Sequence, residues 1–241
     1  MDFNTAQYFM YGGKDFNTKN RYHGSINQQE KIKMNNFPQN KSQFTLPGPA
    51  GNLEVATTWP TQAPKAIGII CHPLPQFDGT MNNKVVTTIE RAFINKGLAT
   101  LRFNFRGVGK SEGSFANTIG ETEDLKAIIQ WVKQVLPNTP LWLGGFSFGS
   151  YIAAKAANEI AVQQLVSIAP PVNHNDFVAL TNIHCPWWLV QGDQDEIVPA
   201  SEVIAFAKQP PSPLTLKVMA GVGHFFHGHL IELREYLQNV L

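Results

Sequence analysis

A chain of 241 residues, 43% hydrophobic and 15% charged, is long enough for one sizeable α/β core and is expected to form a single catalytic-size domain. With 19 Lys and Arg against 18 Asp and Glu the formal charge is +1, so no net field draws the protein to polyanions and no nucleic-acid partner is expected. No apolar run reaches the roughly 18 residues of a membrane span, the polar N-terminus lacks the apolar core of a signal peptide, and Cys71 and Cys185 are too few for a disulfide framework. The expectation is a cytoplasmic protein with no membrane association and buried free thiols.

Residues 1–40 are rich in Asn, Gln, Lys and Gly without helical or alternating periodicity, and read as a disordered N-terminal extension. Met34 is an alternative translation start within it. The folded domain is expected over residues 43–241. "QFTLPG" and "LEVATTW", separated by Gly-Pro turn chemistry, suit an antiparallel opening pair. "KAIGIICH", "LATLRFNF", "PLWLGGF", "QQLVSIAP", "PWWLVQGD" and "LTLKVMAG" come next, mostly continuous apolar runs that read as strands buried on both faces. Helical spacing fills the gaps at residues 83–95, 118–135, 148–158, 200–207 and 228–240. It is clearest where Thr118 and Glu121 form a capping box ahead of Leu125, Ile128, Ile129, Val132 and Val135. Strands alternating with helices predict a mostly parallel central sheet with an antiparallel N-terminal pair, helices on both faces, and chemistry at the strands' carboxyl ends. Only the 16 residues "PPVNHNDFVALTNIHC" separate "LVSIA" from "PWWLVQG", too few for a cap domain.

The chemistry-bearing residues fall at those carboxyl ends. Gly145-Phe146-Ser147-Phe148-Gly149 is a G-x-S-x-G at a strand-to-helix junction, where small neighbours let the chain pass close to itself and Ser147 points out of the sheet edge as a nucleophile. A serine hydroxyl needs a base, and an imidazole base needs a carboxylate to fix its tautomer. "GDQDEIVP" supplies Asp193, Asp195 and Glu196 as competing acids just past one strand. "GVGHFFHGHL" supplies His224 as the base just past the last, with His227 and His229 read as helix-start or surface residues rather than as metal ligands. No metal or cofactor is expected.

A tetrahedral intermediate also needs two backbone donors. Phe148, the residue after the nucleophile, is one. The second comes from "PLPQFDGT", where Pro73 and Pro75 have no N–H, leaving Leu74 with Gln76 next in line. His72 is expected to hold this loop by hydrogen bonding, and Phe77, Phe115 and Phe148 to line the acyl side of the cleft.

"NFRGVGKSEGSF" resembles the tail of a phosphate-binding loop at Gly109-Lys110-Ser111, but the register requires glycine where Asn104 stands, and no helix comes directly after Ser111. It reads instead as a turn at the end of a strand. Arg106 becomes either a brace between loops or, less favoured, a contact for an acidic substrate.

"HPLPQFDGTMNNKVV", "LRFNFRGVGKSEGSF", "GETEDL", "GGFSFGSYIAA", "GDQDEIVP" and "GVGHFFHGHL", in this order over about residues 43–240, make the chain resemble the α/β-hydrolase superfamily, and within it the small lidless hydrolases related to dienelactone hydrolase. The resemblance implies an α/β-hydrolase fold without a cap. It makes the second Asp of "GDQDEIVP", Asp195, the acid and the His of "GVGHF", His224, the base. The chain departs from dienelactone hydrolase in carrying Ser147 where that enzyme has a cysteine. The expected activity is that of a carboxylesterase acting on a small ester through an acyl-serine intermediate. A peptidase or acyltransferase with the same triad, or a non-catalytic scaffold, are the alternatives.

Overall fold

The computed structural model describes residues 35–241, so Met34 and most of the N-terminal extension lie outside the described residues. Folded packing begins earlier than residue 43. Phe37 is buried, its ring 5.7 Å from that of Trp59 and 5.8 Å from that of Trp131. The Asn/Gln-rich composition around it hid one aromatic anchor that packs into the core.

Among the described residues eight strands form one sheet in the order β1-β2-β4-β3-β5-β6-β7-β8. β1 (Ser42–Gly48) and β2 (Gly51–Thr58) make the antiparallel pair, closed by a tight turn in which Gly51 has φ +119. β2 also runs antiparallel to β4 (Ala99–Phe103). The rest is parallel: β3 (Ile67–Cys71) pairs with β4 and with β5 (Leu141–Phe146), and β6 (Gln164–Ile168), β7 (Trp187–Gly192) and β8 (Thr215–Met219) continue in sequence. The chain steps from β3 outward to β4, then crosses back to β5. The carboxyl ends of β3 and β5 therefore open a crevice at the point where the order reverses, which is where α/β sheets bind ligands.

The helices are α1 (Lys84–Asn95), α2 (Ile119–Val135), α3 (Phe148–Ala157), α4 (Ala200–Lys208) and α5 (Leu230–Val240). Buried side chains of α2, α3 and α4 pack on one face of the sheet, and those of α1 and α5 on the other. In β3 the alternation is direct, with Ile67, Ile69 and Cys71 facing the first core and Ile70 the second. α2 starts where the Glu121 carboxylate accepts N–H bonds from Thr118 and Ala116, both at 2.8 Å. Cys71 and Cys185 are free thiols, and burial pushes the Cys71 thiol far above its ordinary pKa.

One strand departs from the expected double burial. β8 lies at the sheet edge, where Thr215 and Lys217 are exposed and only Met219 is buried. An edge position leaves one side of the ladder and much of one face without a covering layer.

The stretch after β4 is held by its own hydrogen bonds. Ser111 Oγ donates to the Asn104 carbonyl at 2.6 Å and accepts from the Glu54 N–H at 2.9 Å, while the Lys110 N–H donates to Glu54 Oε2 at 2.9 Å. Gly107 and Gly109 take φ +75 and +57, so the glycines serve the turn.

Candidate active site

β5 delivers the chain into a sharp reversal before α3. Ser147 sits at its apex with φ 50 and ψ −122, a left-handed backbone that an L-residue adopts only at some cost. The surroundings fix it. The Ser147 N–H donates to the Ile168 carbonyl at 2.8 Å, and its carbonyl accepts from Ser150 Oγ at 2.6 Å. A Cβ at Gly145 would fall on the Gly149 carbonyl, and one at Gly149 on the Cys71 and His72 carbonyls, which is why both flanking positions are glycine.

His224 and Asp195 come together after β8 and β7. His224 Nδ1 lies 2.8 Å from Asp195 Oδ2, and both residues are buried. With the Nδ1 proton directed at the carboxylate, Nε2 is left as the ring's acceptor. Asp195 is held on both oxygens: Oδ1 accepts the N–H groups of Ile197 at 2.9 Å and Val198 at 2.7 Å, and Oδ2 also accepts Gln191 Nε2 at 2.9 Å. Burial is the largest single influence on this carboxyl and opposes its ionisation. The bonds from His224, Val198 and Ile197 together outweigh it, so the carboxyl is held below its ordinary pKa. Of the rival acids, Asp193 is exposed and accepts the Gly221 N–H at 2.7 Å, pinning the turn after β8. Glu196 is exposed and accepts the His224 backbone N–H at 3.2 Å. The structure thus brings Asp195, and neither competitor, to the imidazole.

The loop after β3 is anchored from beneath. His72 is fully buried, with Nδ1 2.7 Å from the Pro73 carbonyl and Nε2 accepting the Phe105 N–H at 3.0 Å. These two bonds require the proton on Nδ1. Burial lowers the His72 pKa to about 4, so the ring is neutral and joins the ends of β3 and β4. Above it Leu74 accepts the N–H groups of Phe77 at 3.1 Å and Gly79 at 3.2 Å, closing a single turn of 3₁₀ helix over Pro75–Phe77.

A cleft of about 550 Å³ opens at the carboxyl edge of the sheet, and both Ser147 and His224 line it. Leu74, Phe77 and Phe148 line it as well. The Phe148 N–H is the first of α3 and has no acceptor inside the helix.

Four expected cleft residues are not in its wall. Gln76 is exposed and does not line the cleft. Phe115 packs its ring 5.9 Å from that of Phe148 and does not line the cleft. His72 lies under the loop. Arg106 points to Asp124, its Nη2 2.7 Å from Oδ1 and its Nε 3.0 Å from Oδ2. Asp124 is fully buried, and an arginine fork committed to a buried carboxylate is a brace.

Other lining residues were not singled out in the sequence. Pro171, His174 and Asn175 come from the β6–β7 loop, Ile197 and Val198 from the turn after Asp195, and Asp78 and Asn83 from the loop before α1. Asn83 has a legible signal, as the N-cap whose side chain accepts the Val85 N–H at 2.8 Å. Between β6 and β7 no helix intervenes among the described residues, so that connection places no helical cap over the cleft. His227 is exposed, His229 pairs with Glu232 at 3.0 Å, and among the described residues no three metal-ligating side chains converge.

The chain as a whole has close counterparts. The family model described as the α/β hydrolase fold matches residues 69–184, a stretch that includes Ser147 and ends before Asp195. A solved α/β serine hydrolase homologue from Coxiella burnetii is 52% identical, with 85% of this chain and 99% of that one covered and a TM-score of 0.82. A solved α/β serine hydrolase without a lid, from Xanthomonas campestris, is 42% identical, with 85% and 94% covered and a TM-score of 0.80. An uncharacterized protein of Rickettsia prowazekii is 34% identical over 209 residues, 83% of this chain and 88% of that protein.

Proposed function

Because the chain belongs to the α/β-hydrolase family, we propose that it is a serine carboxylesterase that cleaves small esters through an acyl-serine intermediate. One observation carries this reading: Ser147 and His224 line the same cleft, and His224 is backed by Asp195 at 2.8 Å. In the proposed reaction Ser147 Oγ attacks the ester carbonyl while His224 Nε2 takes its proton. The charge that develops on the carbonyl oxygen is held by the N–H groups of Phe148 and Leu74. The tetrahedral species collapses as the C–O bond to the alcohol breaks, and the imidazolium returns the proton to the departing oxygen. A water molecule then attacks the acyl-serine, giving its proton to His224, and the acid leaves as Ser147 recovers its hydrogen. Throughout, Asp195 remains a carboxylate that steadies the imidazolium, a role suited to a carboxyl held below its ordinary pKa.

The apolar wall formed by Leu74, Phe77, Phe148 and Val198 favours small aliphatic or aromatic acyl groups. The test is labelling with a fluorophosphonate probe, comparing wild type with Ser147→Ala, and then turnover of p-nitrophenyl esters of increasing acyl length. The expected result is labelling of wild type alone, with turnover that falls once the acyl chain outgrows the cleft. Absence of both labelling and turnover in wild type overturns the proposal.

A further inference from the structure

We propose that this cleft selects uncharged esters and rejects those carrying an anionic group near the ester, with Asp78 as a determinant of that selection. The inference rests on the esterase reading of the same cleft and adds the charge class of its substrates.

Two features of the walls support it. The mouth is ringed by apolar side chains that stand out into solvent: Phe77 after β3 is 82% exposed, Ile197 after β7 is 43% exposed and Phe225 after β8 is 40% exposed. Large apolar groups exposed around a concavity that already holds a nucleophile mark a surface for an apolar ligand. The charges are the second feature. Among the described residues lining the cleft there is no lysine or arginine. Arg106, the guanidinium that the sequence offered for an acid, is committed to Asp124. In its place stands the Asp78 carboxylate, while Asp195 and Glu196 both bond His224 from behind. An anionic substrate would enter beside the Asp78 carboxylate, lose hydration against apolar walls and meet no lysine or arginine there.

Asp78 is built into its position. It ends the 3₁₀ turn with φ 57, and a Cβ at the next residue, Gly79, would fall on the Pro73 carbonyl, so the turn that offers the Leu74 N–H also presents this carboxylate. A left-handed backbone suits asparagine as well as aspartate, so the charge can be removed without changing the turn.

The experiment compares two esters of equal length, p-nitrophenyl valerate and the mono-p-nitrophenyl ester of glutaric acid, by kcat/KM at pH 8 and low ionic strength. Wild type is expected to favour the valerate by about tenfold or more, and Asp78→Asn to narrow that preference by about fivefold, the upper end of what one exposed charge contributes. Added salt should narrow the wild-type preference and barely move that of the variant. Asp78→Gly, equally at ease at this φ, should repeat the change. A wild type that favours the glutarate, or a preference that Asp78→Asn and Asp78→Gly both leave unaltered, overturns the proposal. Failure to turn over either ester, with Ser147 unlabelled, instead removes the esterase reading and the selection with it.

Discussion

The Arg106 guanidinium meets the Asp124 carboxylate side-on, and the Arg106 backbone N–H donates to the same carboxylate at 3.0 Å. The strand end after β4 is thereby fastened to α2 through a buried acid, and Asp124 is the main reason the Arg106 pKa rises. Lysine offers a single point charge in place of a planar fork. Arg106→Lys should therefore lose about 2 kcal/mol of stability in urea unfolding, part of the larger cost of leaving a buried carboxylate unpaired. It should also leave the relative turnover of acidic and neutral esters unchanged, since the guanidinium does not line the cleft. A selective rise in KM for acidic esters would return Arg106 to the substrate.

Asp193 and Asp195 stand two positions apart yet hold different partners, the Gly221 N–H and the His224 imidazole. Asp195→Asn should lower kcat by about four orders of magnitude, because an amide there no longer holds the imidazole in its working tautomer. Asp193→Asn should cost stability at the turn after β8 while kcat stays within a few-fold of wild type. Steady-state kinetics on one p-nitrophenyl ester, read beside the melting temperature of each variant, separates the two.

His72 gives the fold a pH dependence. In the unfolded chain this imidazole takes a proton near its ordinary value of 6.5, whereas in the folded protein burial delays protonation to about 4. Between those values the unfolded state binds more protons, so stability declines as the pH drops, by about 3 kcal/mol across the full interval. Urea midpoints at pH 7 and pH 4.5 should differ more for wild type than for His72→Gln, which lacks the titrating ring. Asp195, whose pKa is depressed, contributes stability that disappears only as the pH falls through its lowered folded value. Stopping at pH 4.5 keeps that contribution out of the comparison.

Gly149 tolerates no side chain for a steric reason, since a Cβ there would meet backbone carbonyls of Cys71 and His72. Gly149→Ala should cost about 3 kcal/mol or more and lower the yield of folded enzyme. Gly221 makes the contrast: nothing lies within 4 Å of its would-be Cβ, but its φ is +73. Gly221→Ala should cost only about 1–2 kcal/mol, the backbone strain alone. Thermal unfolding of the two variants measures the difference.

The five strands β3 to β7 were legible because strands inside such a sheet are buried on both faces and write continuous apolar runs such as "IGIIC" and "QLVSI", whereas β1 and β2 showed as an alternating pair around a Gly-Pro turn. The exposed ladder of β8 was not legible, since edge position is a property of the topology rather than of "LTLKVM" itself. Ser147 stood out as a candidate because it comes directly after β5, and His224 because it is the first histidine beyond β8. Asp195 could not be separated from Asp193 by pattern, as both stand at the end of the same strand and only the turn geometry aims one of them at His224. The partner of Arg106 lies a helix away at Asp124, and Gln191, which steadies Asp195, looks in the sequence like any polar residue closing a strand. Pro171 and His174 enter the wall only through the path of the β6–β7 loop, which carries no periodic signal.

The short β6–β7 connection also bears on kinetics. An enzyme whose mouth must be uncovered by a moving helix accelerates when substrate molecules aggregate and an interface holds that helix aside. Here no such helix intervenes among the described residues. Turnover should accordingly track dissolved monomeric substrate along a single saturation curve, with no jump in rate at the concentration where micelles form, and product should leave without waiting for a gate.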